Sequence, residues 1–295
     1  MNLVIGASGL LGSAICQELA DMGDKIRALM RTTSDPVQTA KLKERGINLV
    51  HGDVKQRATL EAACQGVETV ISTATCTRSR QQDDSIQSVD LQGQLDLVQA
   101  ARKAGVRQFV FISFPEVPVQ FPLQDAKRAV EQALIASGMT YTILQPTFFM
   151  EFWFSPALGF DAVAGKAQIF GTGERPISWI SYQDVAKFAA ASVTAPAAKN
   201  AVIKLGGPEA LTPLQVVEVF ERVSGRRFSV ELVPESALQA KWAAATDPLE
   251  KSFAGLMLYY ARGDVIDMTE PLRWAPMQLA SVHRFATHAP VSAMA

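Results

Sequence analysis

Leu3-Val4-Ile5-Gly6-Ala7-Ser8-Gly9-Leu10-Leu11-Gly12 is the stretch that decides the fold. Three apolar residues run straight into a turn with glycines at 6, 9 and 12. Helical spacing then starts at once, through Leu10, Leu11, Ala14, Ile15, Glu18 and Leu19. The order predicted is strand, tight turn, helix. Gly6 permits a turn that a Cβ would hinder. Gly9 lets the backbone approach a pyrophosphate, and Gly12 lets the helix pack closely on the sheet. The open N–H groups at the start of the helix then face an anion, which the helix dipole favours. Gly6, Ala7, Ser8, Gly9, Leu10 and Leu11 are therefore the candidate phosphate cradle. The same pattern also occurs as a turn without a ligand.

Outward from this stretch, strand and helix signals alternate. Short, charge-poor runs occur at Leu3–Ile5, Ile26–Met30, Ile47–Val50, Val67–Ser72, Phe109–Ile112 and Tyr141–Leu144. Such runs suit strands covered on both faces. Between them, Leu91, Leu95, Leu97, Val98 and Ala101 form a helical stripe ending at Gly105, and Ala126, Val130, Ala133 and Leu134 form another ending near Gly138. The repetition predicts an α/β architecture: a doubly wound parallel Rossmann sheet of six or seven strands with right-handed crossovers.

After Pro146 the pattern changes. Residues 147–180 are dense in Phe and Trp and show no clean alternation. Residues 182–194 read as helix and Val202–Leu205 as strand. Leu214–Val223, Ala237–Ala245 and Leu249–Ala261 read as helices of a smaller C-terminal lobe. The expected division is a nucleotide-binding domain over 1–150, rejoined by 180–206, and a discontinuous lobe over 151–295. His288 to Ala295 reads as a loose tail.

Composition narrows the function. In 295 residues, 48% are hydrophobic and 19% charged, which excludes intrinsic disorder. Lys plus Arg is 28 and Asp plus Glu is 29, so no strong overall field draws in nucleic acid or an anionic membrane. Arg226-Arg227 is a single basic pair, and direct DNA binding is not expected. Cys16, Cys64 and Cys76 form no C-x-x-C pair, and His51, His283 and His288 show no ligand spacing. No metal site is expected, and the compartment expected is reducing and cytoplasmic. No apolar run approaches the ~18 residues of a membrane helix. No signal peptide is expected, because Leu3 runs straight into the glycine turn.

Further signals concern the nucleotide. Arg31 ends the second strand, followed by Thr32, Thr33 and Ser34. A carboxylate there accepts from the ribose hydroxyls of NAD, whereas a guanidinium holds a 2′-phosphate by two parallel bonds. NADP(H) is accordingly favoured over NAD(H). Asp53, with Val54 beside it, follows the third strand. It suits the adenine amino group, helix N-capping, or both. Thr73 and Ala74 end the fourth strand, where small residues let the cofactor pass close to the backbone.

Taken together, these motifs carry a resemblance. The glycine turn, Arg31, His51-Gly52-Asp53, the run Ala104 to Val110 and the run Tyr141 to Met150 resemble the NmrA-like group of atypical short-chain dehydrogenases/reductases, which is also similar to isoflavone-reductase-like enzymes. The resemblance covers roughly residues 1–235. It implies an NAD(P)-binding Rossmann core and a small substrate lobe. Members include NADPH-dependent reductases of quinones, dyes and plant phenolics, and others that bind the cofactor and act as sensors or regulators.

Ordinary short-chain dehydrogenases use a Ser and a Tyr-x-x-x-Lys pair. Ser113 and Lys127 match the serine and lysine by position, and both also suit structural roles. Four residues before Lys127 stands Leu123, so the phenol is missing. Lys127, alone or with a water, is then the expected proton source. Pro146, Thr147 and Phe148 follow the sixth strand, at the edge where such sheets bind ligands, and suit the nicotinamide. Phe149, Trp153 and Trp179 suit either the wall of an apolar substrate pocket or a core. Tyr259 and Tyr260 are the remaining candidates for a replacement phenol. The reading is an NADPH-dependent reductase of a small apolar electrophile. A non-catalytic NADP(H) sensor and an assembly factor using the fold as a scaffold are the alternatives. Oligomeric state stays open.

Overall fold

The computed structural model describes residues 1–79 and 81–288. In chain order it builds β1 (Asn2–Ile5), α1 (Leu10–Asp21), β2 (Ile26–Met30), α2 (Pro36–Glu44), β3 (Asn48–His51), α3 (Arg57–Cys64), β4 (Thr69–Ser72), α4 (Gln94–Lys103), β5 (Gln108–Ile112), α5 (Pro122–Ile135) and β6 (Thr140–Pro146). There follow α6 (Met150–Trp153), β7 (Phe160–Asp161), β8 (Lys166–Phe170), α7 (Tyr182–Ser192), β9 (Ala201–Leu205), α8 (Pro213–Ser224), β10 (Ser229–Val233), α9 (Glu235–Ala244), α10 (Pro248–Arg262), α11 (Thr269–Trp274) and α12 (Val282–His288). A π-helical stretch, Ile86–Gly93, leads directly into α4.

Seven strands form one sheet in the order β3-β2-β1-β4-β5-β6-β9. The pairings from β3 through β6 are all parallel. The chain winds outward from β1 in one direction, then returns to β1 and winds the other way from β4. The order reverses between β1 and β4, which is where open α/β sheets bind ligands at their carboxyl ends. β1, β4 and β5 are buried along their whole length, as their lack of charge requires.

The chain divides into two compact units. One holds Met1–Phe114, Pro122–Gln145 and Val185–Ile203; the other holds Pro115–Phe121, Pro146–Asp184 and Lys204–Ala295. Within the second, β10, β8 and β7 form a small sheet, with β10 parallel to β8 and β7 antiparallel to it.

Three departures from the sequence reading have local reasons. α2 was not legible because its nine residues bury only Leu42 and carry no apolar stripe. β10 passed unread because Ser229 to Glu231 and Leu232 are all exposed, so its pattern answers to no core. The aromatic segment contains β7 and β8, whose two and five residues are too short to show a period. Of the expected tail, His288 closes α12 and the rest lies outside the described residues. Among the described residues, no helix is long and apolar enough to cross a membrane.

Candidate functional site

The glycine turn sits at the carboxyl end of β1. Gly6 adopts φ +82°, and a Cβ there would lie 2.6 Å from Thr73 Oγ1 and 3.0 Å from the Ala74 nitrogen. The turn therefore nests against the end of β4. Thr73 donates its N–H and hydroxyl to the Ile5 carbonyl, at 3.0 and 3.2 Å. The Gly9 N–H donates to the Gly6 carbonyl, closing the turn. A Cβ on Gly12 would lie 2.1 Å from that same carbonyl oxygen, so α1 packs on the turn at a distance only glycine allows.

α1 begins at Leu10 with Gly9 as its N-cap, and no described side chain caps it. The first intrahelical bond comes from Ser13 to Gly9. The N–H groups of Leu10, Leu11 and Gly12 have no partner four residues back. Gly9 and Leu10 are exposed, Ser8 and Leu11 half-buried, and Ala7 is buried. Open amides, a positive helix end and no Cβ in front of them fit a diphosphate.

Arg31 is half-buried and already paired. Its Nη1 donates to Asp84 at 2.6 Å. Lys55 Nζ lies 2.6 Å from both Asp83 and Asp84. Burial pushes the Asp84 carboxyl up, but hydrogen bonds from Lys55, Ser79 and Arg31 outweigh it and hold the group below its ordinary range. Asp53 accepts from the Lys55 N–H at 2.9 Å, an Asx turn. It does not cap α3, whose N-cap is Gln56. Val54 is buried.

Lys127 is 5% exposed on α5. Its Nζ stands 3.4 Å from Asp90 and over the face of Phe111, 4.9 Å from the ring centre. Asp90 is fully buried on the π-helical stretch and also accepts from the Cys76 N–H at 2.9 Å. Cys76 lies two residues beyond Ala74, so a chain of contacts joins the glycine turn to Lys127 within one unit. Asp90 escaped the sequence reading. The signal was present: it shares the apolar face of Ile86, Val89 and Gly93, where a carboxylate needs a counter-charge. Stretches of π-helix recur at functional positions.

Ser113 and Lys127 are not bonded partners here. The Ser113 hydroxyl accepts from Arg128 Nη2 at 2.9 Å, and the same nitrogen reaches the Phe114 carbonyl and Glu131. Glu131 in turn accepts from Gln145 at 3.0 Å. With its oxygen engaged by a guanidinium, Ser113 keeps its own proton to donate.

In the second unit, both donors of Thr147 are engaged: its N–H to Leu205 at 2.9 Å and its hydroxyl to Ser178 at 2.5 Å. Pro146 and Phe148 are buried, and Phe149 is half-exposed. Phe148 packs on Trp153, Trp179, Tyr259 and Tyr260, with ring centres 4.6 to 5.9 Å away. Trp179 is 1% exposed and its indole N–H donates to Leu211. The Tyr259 hydroxyl donates to Asp264, and burial pushes both tyrosine pKa values up. Trp179→Ala is expected to cost about 3–5 kcal/mol of stability, the range for truncating a buried large aromatic. Chemical denaturation monitored by tryptophan fluorescence checks this.

The doubly wound sheet and the glycine turn at its switch point define the class: a Rossmann-type α/β fold. The family model for the NmrA-like family matches residues 2–270, and the chain belongs to that family. It is 33% identical over 245 residues to the photosystem II assembly factor Ycf39 of Synechocystis, covering 80% of this chain and 72% of that one. It is 30% identical over 264 residues to the NAD(P)H azoreductase of Xenophilus azovorans, covering 87% and 85%. Its fold is similar to that of the NADPH-dependent quinone oxidoreductase QOR2 of Escherichia coli, solved with NADPH, with a TM-score of 0.78, 22% identity and 98% and 99% coverage.

Proposed function

We propose that this chain is an NAD(P)H-dependent reductase of a small apolar electrophile such as a quinone, an enone or an azo compound, with the phosphorylated cofactor favoured through Arg31. The uncapped start of α1, under a turn that only glycines can form, carries the reading. The azoreductase relative supports it. The nicotinamide, when bound, supplies the hydride. The protein's part is to place and polarise. The α1 amides of Leu10, Leu11 and Gly12 hold the diphosphate. Thr73 and Ala74 border the turn, and Asp53 and Val54 lie at the adenine end. Lys127, fixed by Asp90, orients the nicotinamide ribose and, directly or through a water, returns a proton. Ser113 donates a hydrogen bond to the oxygen or nitrogen that gains charge, with Arg128 behind it. In the second unit, Pro146, Thr147 and Phe148 are the candidates for nicotinamide contact and Phe149, Trp153 and Trp179 those for an apolar substrate.

The test is loss of NADPH absorbance with a panel of quinones, enones and azo or triphenylmethane dyes. Turnover is expected with at least one class. Ser113→Ala is expected to lower kcat about 10²-fold, within the range for removing a positioned proton-transfer group, and to leave the affinity for NADPH unchanged.

The Ycf39 relatives favour a second reading, in which the chain binds the nucleotide and acts through a protein partner. Tight cofactor binding without turnover across the panel supports it. A sensor form of this reading further requires unequal affinity for NADP and NADPH, because a ligand without differential affinity shifts no equilibrium.

A further inference from the structure

We propose that Asp84 is the specificity-determining residue of the nucleotide site. Its carboxylate holds Arg31 and so limits how strongly the guanidinium engages a ribose 2′-phosphate. This rests on the nucleotide-binding reading above.

Asp84 is enclosed: its side chain is 2% exposed, against 35% for Arg31. It accepts from Arg31 Nη1 at 2.6 Å and from the Ser79 hydroxyl, and Lys55 Nζ lies 2.6 Å from its other oxygen. Gln81, from the same segment, donates to the Thr33 hydroxyl. The Arg31 N–H donates to Ser34 Oγ at 3.0 Å. The segment bearing Ser79, Gln81 and Asp84 is thus fastened to the end of β2 at two side chains, one of them the residue expected to read the phosphate.

Two consequences follow for a phosphate arriving at the exposed side of Arg31. A guanidinium binds phosphate best through two parallel N–H groups on one edge, and with Nη1 held by Asp84 only the Nε–Nη2 edge is left for it. The phosphate must also settle one guanidinium's width from a carboxylate, a repulsion weakly screened at an enclosed group. A free ribose hydroxyl meets neither obstacle. Asp84 therefore lowers affinity for the phosphorylated cofactor and leaves the unphosphorylated one alone. Its own benefit is local: it keeps two cations, Arg31 and Lys55, side by side when no phosphate is present. Asparagine at this position retains an acceptor for Arg31 and Ser79 while removing the charge.

Calorimetric titration of the full chain with NADPH and with NADH tests this. Asp84→Asn is expected to tighten NADPH about 5- to 20-fold and to change NADH less than about twofold, the size of one removed like charge at partly screened range. Asp83→Asn removes an equal charge from a carboxylate that is 77% exposed and touches Lys55 alone of the two cations. It is expected to change NADPH less than about twofold, as an exposed pair does. Arg31→Gln is expected to cost NADPH less than about fivefold in the unaltered protein and more than tenfold beside Asp84→Asn, because only then does the guanidinium's charge act on the phosphate without an adjacent carboxylate opposing it. An NADPH affinity unchanged or weakened by Asp84→Asn overturns the proposal. So does an equal gain from Asp83→Asn. Should Asp84→Asn fail to fold, a loss above tenfold in Arg31→Gln alone overturns it, and a loss below fivefold supports it. If the unaltered protein binds neither nucleotide, the nucleotide reading falls and this falls with it. If it binds and the variants behave otherwise, only this one does.

Discussion

Gly12→Ala is expected to abolish nucleotide binding and to destabilise the first unit. The added methyl would lie 2.1 Å from the Gly6 carbonyl oxygen and 3.0 Å from the Ala7 Cα, both backbone atoms that cannot rotate aside. Helix α1 must move off the turn. Overpacking of this kind costs about 2–4 kcal/mol. The same movement carries the Leu10, Leu11 and Gly12 amides away from the phosphate position, so affinity for NADPH is expected to fall more than about 100-fold, the worth of two charge-assisted hydrogen bonds. Gly9→Ala is the control. Its methyl meets only the Gly6 oxygen, at 3.3 Å. The fold is expected to survive with a loss of about 1 kcal/mol or less. The two variants, compared by thermal unfolding and calorimetry, separate packing from access to the amides. Normal stability and affinity in Gly12→Ala would show that the turn is not built as described.

The second large effect is expected at Lys127. Lys127→Met leaves the Asp90 carboxylate with no exposure and the Cys76 amide as its hydrogen bond, a buried charge without its counter-ion. Breaking a buried pair on one side costs about 3–5 kcal/mol. Reductase turnover is expected to vanish as well. Loss of activity alone would then be ambiguous, since the variant is also unstable. Lys127→Met with Asp90→Asn resolves it. Asparagine keeps an acceptor for Cys76 and removes the charge, so most of the stability is expected to return while turnover stays absent. Recovery of both would make Lys127 a structural lysine. Recovery of neither would place the damage in packing against Phe111, over which the ammonium sits.

The two expectations differ in how far the sequence announced them. Gly6, Gly9 and Gly12 were legible because a glycine needs a reason, and their spacing after a buried strand supplies one. Lys127 was legible as a position but not as an ion pair. Its partner Asp90 lies 37 residues earlier on a different helix, and no local pattern links the two. Arg31 shows the same limit. The strand-end arginine reads directly from the sequence, whereas its pairing with Asp84 needs the segment beyond β4 to fold back across β2. Ser113 was legible as a strand-end hydroxyl, whereas its bond from Arg128, on the following helix, was not. The aromatic segment allowed both a pocket wall and a core. Trp179 proves enclosed, Trp153 is 9% exposed, and Phe149 keeps the most open ring of the three.

By itself, the sequence determined the strands of the large sheet, the turn after the first of them and the family. Each depends on neighbours within a few residues: apolar runs of strand length, helical periodicity, and glycines where a Cβ cannot fit. Tertiary structure alone decided which charges meet. Arg31 with Asp84 and Lys127 with Asp90 each join separate elements, and an ion pair leaves no periodic trace in the chain. Burial decides the strength of such a pair, and burial belongs to the packed fold.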